Sequence, residues 1–247
     1  DLWPYIDADP ECSRDKLMTK PLESLQTDGK LYQLPIDFGV TTAIGLGKVV
    51  DGYDTWTLAD VNDALSKLPE GATVFDKYYT QAEMLQYCVA MNADSFMNWQ
   101  DGTCNFDSDE FRALLEFVKP FPAEYDWQSD SEEYESGYSR LKNGKQLLYP
   151  TSLYSFDDLY YTFAALNNDA RFVGFPREDG STGNAFNSDA TLCITTTCKD
   201  KAGAWAFIRS TLEEDFQKSL WNFPILKSAF EANAKEAMTQ ELSLIHI

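Results

Sequence analysis

The stretch Gln146–Asp158 reads QLLYPTSLYSFDD. Its first six residues, Gln146 to Thr151, are apolar and aromatic enough for a short strand. Ser155 then precedes Asp158 by three positions, the spacing of a helix capping box. A strand feeding a capped helix is the unit from which α/β layers are built. Working outward, the same grammar recurs. Thr57 and Asp60 open a helix that carries Val61, Ala64, Leu65 and Leu68 at helical spacing and stops at Pro69 and Gly71. Thr80 and Glu83 cap another, with Met84, Leu85, Cys88 and Val89 on its apolar face. Ser108 begins a third through Phe111, Leu114, Leu115 and Val118, ended before Pro120. Strands are expected at Lys30 to Phe38 (KLYQLPIDF), Thr41 to Leu46, Arg171 to Pro176 and Thr191 to Thr196. Pro35 suits the end or edge of its strand. Helices are expected from about Asp200 to Leu212, Glu213 to Leu220 and Lys227 to Met238. The fold class is therefore α/β.

Composition narrows the chemistry. Lys and Arg total 20 against 40 Asp and Glu, a formal charge of -20. Such a field repels phosphate backbones and argues against nucleic-acid binding, while keeping the protein soluble. The only histidine is His246, next to the last residue. An interior imidazole base, a Ser-His-Asp triad and histidine-based zinc sites are thereby excluded. The five cysteines (Cys12, Cys88, Cys104, Cys193, Cys198) are odd in number and lack CxxC spacing. Most read as small buried hydrophobes. The segment Asp7–Glu11 lacks the central glycine and late glutamate of a calcium loop, so no metal is expected. No apolar run is long enough to cross a bilayer. Residues 242–247 (LSLIHI) turn apolar without helical continuation and read as a non-native tail.

Aromatic residues make up 14% of the chain. Sugars present flat C–H faces and a rim of hydroxyls, which proteins meet with aromatic plates and with carboxylates or amides. Ligands of open α/β sheets collect where strands end, so three strand-to-helix junctions draw attention. At the first, Asp37 and Phe38, Asp37 is either a turn residue or a ligand contact. The second holds Tyr78, Tyr79 and Thr80, where adjacent tyrosines leaving a strand would face opposite ways. The third, Ser152 to Asp158, places Tyr154 and Phe156 at period two before a helix N-terminus with free N–H groups. Tyr154 is the stronger plate, whereas Phe156 reads equally as core. The adjacent acids Asp157-Asp158 and Glu132-Glu133 invite a glycosidase reading. Hydrolysis, however, needs two carboxyls roughly 5–9 Å apart across the scissile bond, which adjacency in sequence does not set. Asp158 is better explained as a cap, and the glutamates as solvated charge.

Several segments, in order, resemble the family 1 extracellular solute-binding proteins of bacterial ABC importers. Gly29-Lys30-Leu31-Tyr32-Gln33-Leu34-Pro35 resembles the family's "dGKxYxLP" strand, and Thr55-Trp56-Thr57-Leu58 its "TWdEl" helix start. Asn143-Gly144-Lys145 followed by Ser152-Leu153-Tyr154 resembles "xxGkaAM…gxW". Gly174-Phe175-Pro176, Ala204-Trp205-Ala206-Phe207-Ile208 and Phe223-Pro224 with Lys227-Ser228 resemble its later motifs. The resemblance covers residues 29 to 230.

The resemblance implies a two-lobe periplasmic-binding-protein (type II) fold, here truncated at both ends. Lobe one would comprise residues 1–38 and 190–223, and lobe two 39–189 and 224–241. It implies a mono- or oligosaccharide enclosed between the lobes, delivery to ABC-transporter permease subunits, no cofactor and no catalysis. It also implies an extracellular or periplasmic location, with membrane contact only through an N-terminal lipid anchor absent from this chain. Tyr154 falls where maltose-binding relatives place a sugar-stacking tryptophan, and Phe156 at a second aromatic. Asp37 and Phe38 match a lobe-crossing segment that contributes ligand contacts. Tyr79 or Thr80 matches a polar and aromatic pair, and Ser152 belongs to the Tyr154 junction. Where many relatives have a glycine-rich turn, this chain has Asn187-Ser188-Asp189-Ala190, so polar contacts are expected from Asn187 or Asp189. A carboxylate-based hydrolase, or a receptor for a peptide or polyamine, is the alternative.

Overall fold

The computed structural model describes residues 1–126 and 135–239. Short strands alternate with helices in a mixed α/β architecture. The capping boxes form as spaced. The Thr57 side chain accepts from the Asp60 N–H and the Asp60 carboxylate from the Thr57 N–H, opening helix Leu58–Ser66. Thr80 and Glu83 do the same for helix Gln81–Met91. Ser108 caps helix Asp109–Val118, and Asp200 caps helix Lys201–Ser210. Each cap satisfies N–H groups that the first helical turn leaves without an internal acceptor.

The strands depart more from expectation. Lys30 to Phe38 is not one strand but three pieces: Lys30–Leu31, Leu34–Pro35 and the start of the long strand Asp37–Leu46. Pro35 supplies no N–H, and the next donor, Ile36 N, bonds to the Ala190 carbonyl. Thr191–Leu192 pairs antiparallel with Leu34–Pro35 and is shorter than the six residues expected. Tyr149–Leu153 forms a strand shifted toward the C-terminus of Gln146–Thr151. Leu147 and Leu148 are buried all the same, their N–H groups donating to the Thr73 and Val74 carbonyls. Tyr78 and Tyr79 lie in a turn, where strand alternation does not apply.

The chain forms two compact units. The first comprises 1–40, 152–161 and the residues after 185, and the second 41–151 and 162–185. These boundaries differ from those expected from the sequence: residues 152–161, 186–189 and 224–239 fall in the first unit. Packing explains the last of these. Phe230, on helix Lys227–Thr239, stacks on Phe38 and lies against Phe156 and Phe223.

In the first unit the Gln217 amide is fully buried and fully used. It donates to the Ile36 and Thr211 carbonyls and accepts from Leu226 N. The second unit is built around Phe75 and Phe175, with Val61, Ala64, Met84 and Leu147 in the same apolar core. Arg177 ties that unit's surface together by pairing with Asp94 and Asp179.

The cysteine expectation is corrected. Only Cys12 and Cys88 are buried, whereas Cys104 and Cys193 are exposed and Cys198 is intermediate. Cys193 was expected in a longer strand, but pairing ends at Leu192 and leaves it outside. Burial pushes the Cys88 thiol up to about 12, and burial with the nearby Asp9 carboxylate pushes Cys12 up to about 11. The thiolate is the reacting form, so both should resist iodoacetamide at pH 8 until the protein is unfolded. Cys104 and Cys193 should be alkylated rapidly in the native state. Peptide mapping after timed alkylation checks this, and uniform labelling of all five would contradict the burial pattern.

Candidate functional site

Seven of the nine sequence-derived residues fall in the first unit. The organising element is the beginning of strand Asp37–Leu46. It pairs antiparallel with Phe223–Pro224, in the register Phe223↔Phe38 and Pro224↔Asp37. Phe223 N also donates to the Tyr154 carbonyl at 2.6 Å. Asp37, Tyr154 and Phe223 are thus fixed to one another through main chain. The Ser155 and Asp158 box sets the approach to Tyr154: the Asp158 carboxylate accepts from Tyr154 N and Ser155 N, and Ser155 Oγ accepts from Asp158 N.

Gly39 explains how the Tyr154 ring comes so close. A Cβ at Gly39 would stand 2.5 Å from Asn187 Oδ1 and 2.6 Å from Tyr154 Cδ1. Any larger residue there would have to displace the ring or the amide. The half-buried Tyr154 ring and Asn187 therefore both lie against bare backbone.

Beside them is a polar cluster. Asp37 is 5% exposed, and its two oxygens accept from different donors: Oδ1 from Ser188 Oγ at 2.8 Å, and Oδ2 from Asn222 Nδ2 at 2.9 Å. Asn222 Nδ2 also reaches Asp189 Oδ2, at 3.0 Å. A single amide therefore bridges two carboxylates, one buried and one exposed. Asp37 is held by its own neighbours, which accords with the turn reading of it: it braces the segments that carry Ser188 and Asn222.

The aromatic residues divide. Phe38 lies in a cluster with Phe186, Phe223 and Phe230, at ring-centroid distances of 5.9, 5.4 and 6.0 Å. Only 5% of its surface is exposed, so it is a core side chain where the sequence reading made it a contact. The reason is the pairing register, which sets Phe38 opposite Phe223. Phe156 packs edge-on against Phe223 and Phe230 at 5.0 and 4.9 Å, in accord with the core alternative weighed for it. Ser152 lies on strand Tyr149–Leu153, two residues before Tyr154.

Tyr79 and Thr80 belong to the second unit. Tyr79 packs on Phe75 and Tyr87, and burial raises its phenol well above the usual tyrosine range. Thr80 Oγ is occupied as a helix cap. The second unit also holds a cavity of about 1100 Å³ with largely apolar walls, among them Val74, Phe75, Phe117 and Phe121. None of the nine residues lines that cavity. Of the acid pairs, Asp158 is consumed by its cap, and Glu132-Glu133 lie outside the described residues.

Two residues escaped the sequence reading. Asn222 is the bridge, and Trp221 beside it is 71% exposed. Their signal was adjacency to Phe223-Pro224, which the family resemblance had already marked.

Neither the protein-family models nor the curated proteins match this chain. Solved structures do. The sugar-binding protein MalE from the phytopathogen Xanthomonas citri superposes with a TM-score of 0.61 at 15% identity, over 96% of this chain and 65% of that one. The GacH receptor of Streptomyces glaucescens, studied unliganded and with acarbose, gives 0.54 at 14% identity, over 95% and 63%. An ABC substrate-binding protein from Listeria monocytogenes, in complex with cycloalternan, gives 0.51 at 18% identity, over 95% and 63%. The chain thus spans less than two thirds of the length of these structures. It has the mixed α/β fold of the solute-binding proteins of ABC importers over the matched part. Among the described residues, no helix is long and apolar enough to cross a membrane.

Proposed function

We propose that this chain belongs to a receptor that binds a mono- or oligosaccharide and hands it to the permease subunits of an ABC importer, without chemical change. The observation that carries the reading is the Tyr154 ring, half-buried against Gly39 and set beside the amides and carboxylates of Asn187, Asn222, Asp189 and Asp37. A ring can cover the C–H face of a pyranose while amides and acids take its hydroxyls. Trp221 is available as a second plate. Each ring would contribute on the order of 1.5–3 kcal/mol. Two rings and a rim of hydrogen bonds reach micromolar affinity, about -8 kcal/mol. The likeness in fold to proteins whose structures are described with acarbose or cycloalternan supports a carbohydrate ligand. An extracellular or periplasmic setting accompanies that role.

Titration calorimetry of the full chain against a glycan panel, paired with a reducing-end assay, tests the reading. Saturable binding without new reducing ends is the expected result. Release of reducing ends would favour hydrolysis, and binding of peptides or polyamines in place of sugars would move the ligand class.

A further inference from the structure

We infer that the site admits uncharged or amine-bearing glycans and rejects those carrying carboxylate, sulfate or phosphate groups. The inference rests on the sugar reading above and narrows its ligand class. The polar cluster contains two carboxylates, Asp37 and Asp189, held on one Asn222 nitrogen. Among the described residues, the donors they receive are neutral: the Ser188 hydroxyl and the Asn222 amide. Among the described residues, no lysine or arginine pairs with either acid. Several basic side chains of this unit are engaged elsewhere. Arg14 pairs with Asp7, Arg209 with Asp9 and Glu213, and Lys218 with Glu214, while Lys227 donates to the Asp15 carbonyl.

Two negative charges without a counter-charge have a definite consequence for ligand choice. A sugar hydroxyl can donate to the exposed Asp189 carboxylate, and an ammonium group can pair with it. A uronate or sulfate brings a third negative charge to the same place, where neither carboxylate is paired with a described lysine or arginine. Asp37, being buried, acts on the ligand through the field it adds and through the amide it orients. Asp189 is the residue that meets the ligand directly.

The charge of -20 on the whole chain repels anions as well, but at physiological ionic strength exposed charges are screened beyond about 8 Å. The two contributions therefore separate by mutation. Maltotriose and cellotriose, each beside its C6-oxidised glucuronate form, and the glucosamine trisaccharide would be titrated into the full chain at 150 mM salt. The oxidised form is expected to bind at least tenfold more weakly than its neutral parent. In Asp189→Asn that gap should narrow severalfold. In Glu236→Gln, an exposed acid on helix Lys227–Thr239, it should be unchanged. Equal or tighter binding of an oxidised sugar by the unmodified chain overturns the inference and leaves the sugar reading standing. A gap equally narrowed in both variants overturns it too, by assigning the discrimination to overall charge. Binding of none of these saccharides overturns the sugar reading itself, and this inference with it.

Discussion

Replacing Phe38 with alanine is expected to cost the first unit about 3–5 kcal/mol of stability, as truncation of a buried ring does. The Phe38 ring touches three others, Phe186, Phe223 and Phe230, and two of those also hold Phe156. Removing it opens a cavity against groups that are themselves tied down. Phe223 is fixed by its pairing with strand Asp37–Leu46 and by its bond to the Tyr154 carbonyl. The surroundings can therefore collapse only in part, which is the condition that puts the cost near the upper end of the range. Urea denaturation should show a lowered midpoint with little change in slope. Phe38→Leu should recover more than half of the loss, because it keeps most of the buried volume. Wild-type stability in Phe38→Ala, combined with lost saccharide affinity, would return Phe38 to the role of a ligand contact.

Tyr154→Ala should do the reverse. Its ring is half-buried and lies against the Gly39 backbone, not within the phenylalanine cluster. The main-chain groups that matter to the fold remain in the variant: the carbonyl that accepts from Phe223 and the N–H that donates to Asp158. Saccharide affinity is expected to fall at least tenfold, about 1.4 kcal/mol, while the melting temperature without ligand changes by only a few degrees. Calorimetry and a thermal melt on the same preparation separate the cases. A collapsed melt with undiminished affinity would move the ligand site away from residues 152–157. The two variants together form a test that neither makes alone, since they differ in burial while sharing one neighbourhood.

Local signals in the sequence carried far because they are local in physics. A capping box needs two side chains three residues apart and nothing else, so Thr57 with Asp60, Thr80 with Glu83, and Ser155 with Asp158 all form as spaced. The same reasoning singled out the Tyr154 junction, where the structure brings Asn187 against the same glycine. Strand limits were less legible. Lys30 to Phe38 has one continuous β-rich composition, yet its pairing is divided among different partners, and composition does not record partners.

Apolar spacing, cap spacing and the order of family-like segments were enough to establish an α/β chain, and the position of the single histidine, His246, to exclude interior histidine chemistry. What they could not decide was which aromatic ring faces inward. Phe38 and Tyr154 look alike as large rings beside strand ends, and only the register Phe223↔Phe38 buries the first. Nor could they reveal Asn222, which is separated from Asp37 by 185 positions and from Asp189 by 33. The boundary between the units moved for the same reason: helix Lys227–Thr239 follows Phe230 into the phenylalanine cluster. Burial and hydrogen bonding between distant residues depend on how the whole chain closes, and those contacts exist only once the tertiary structure has formed.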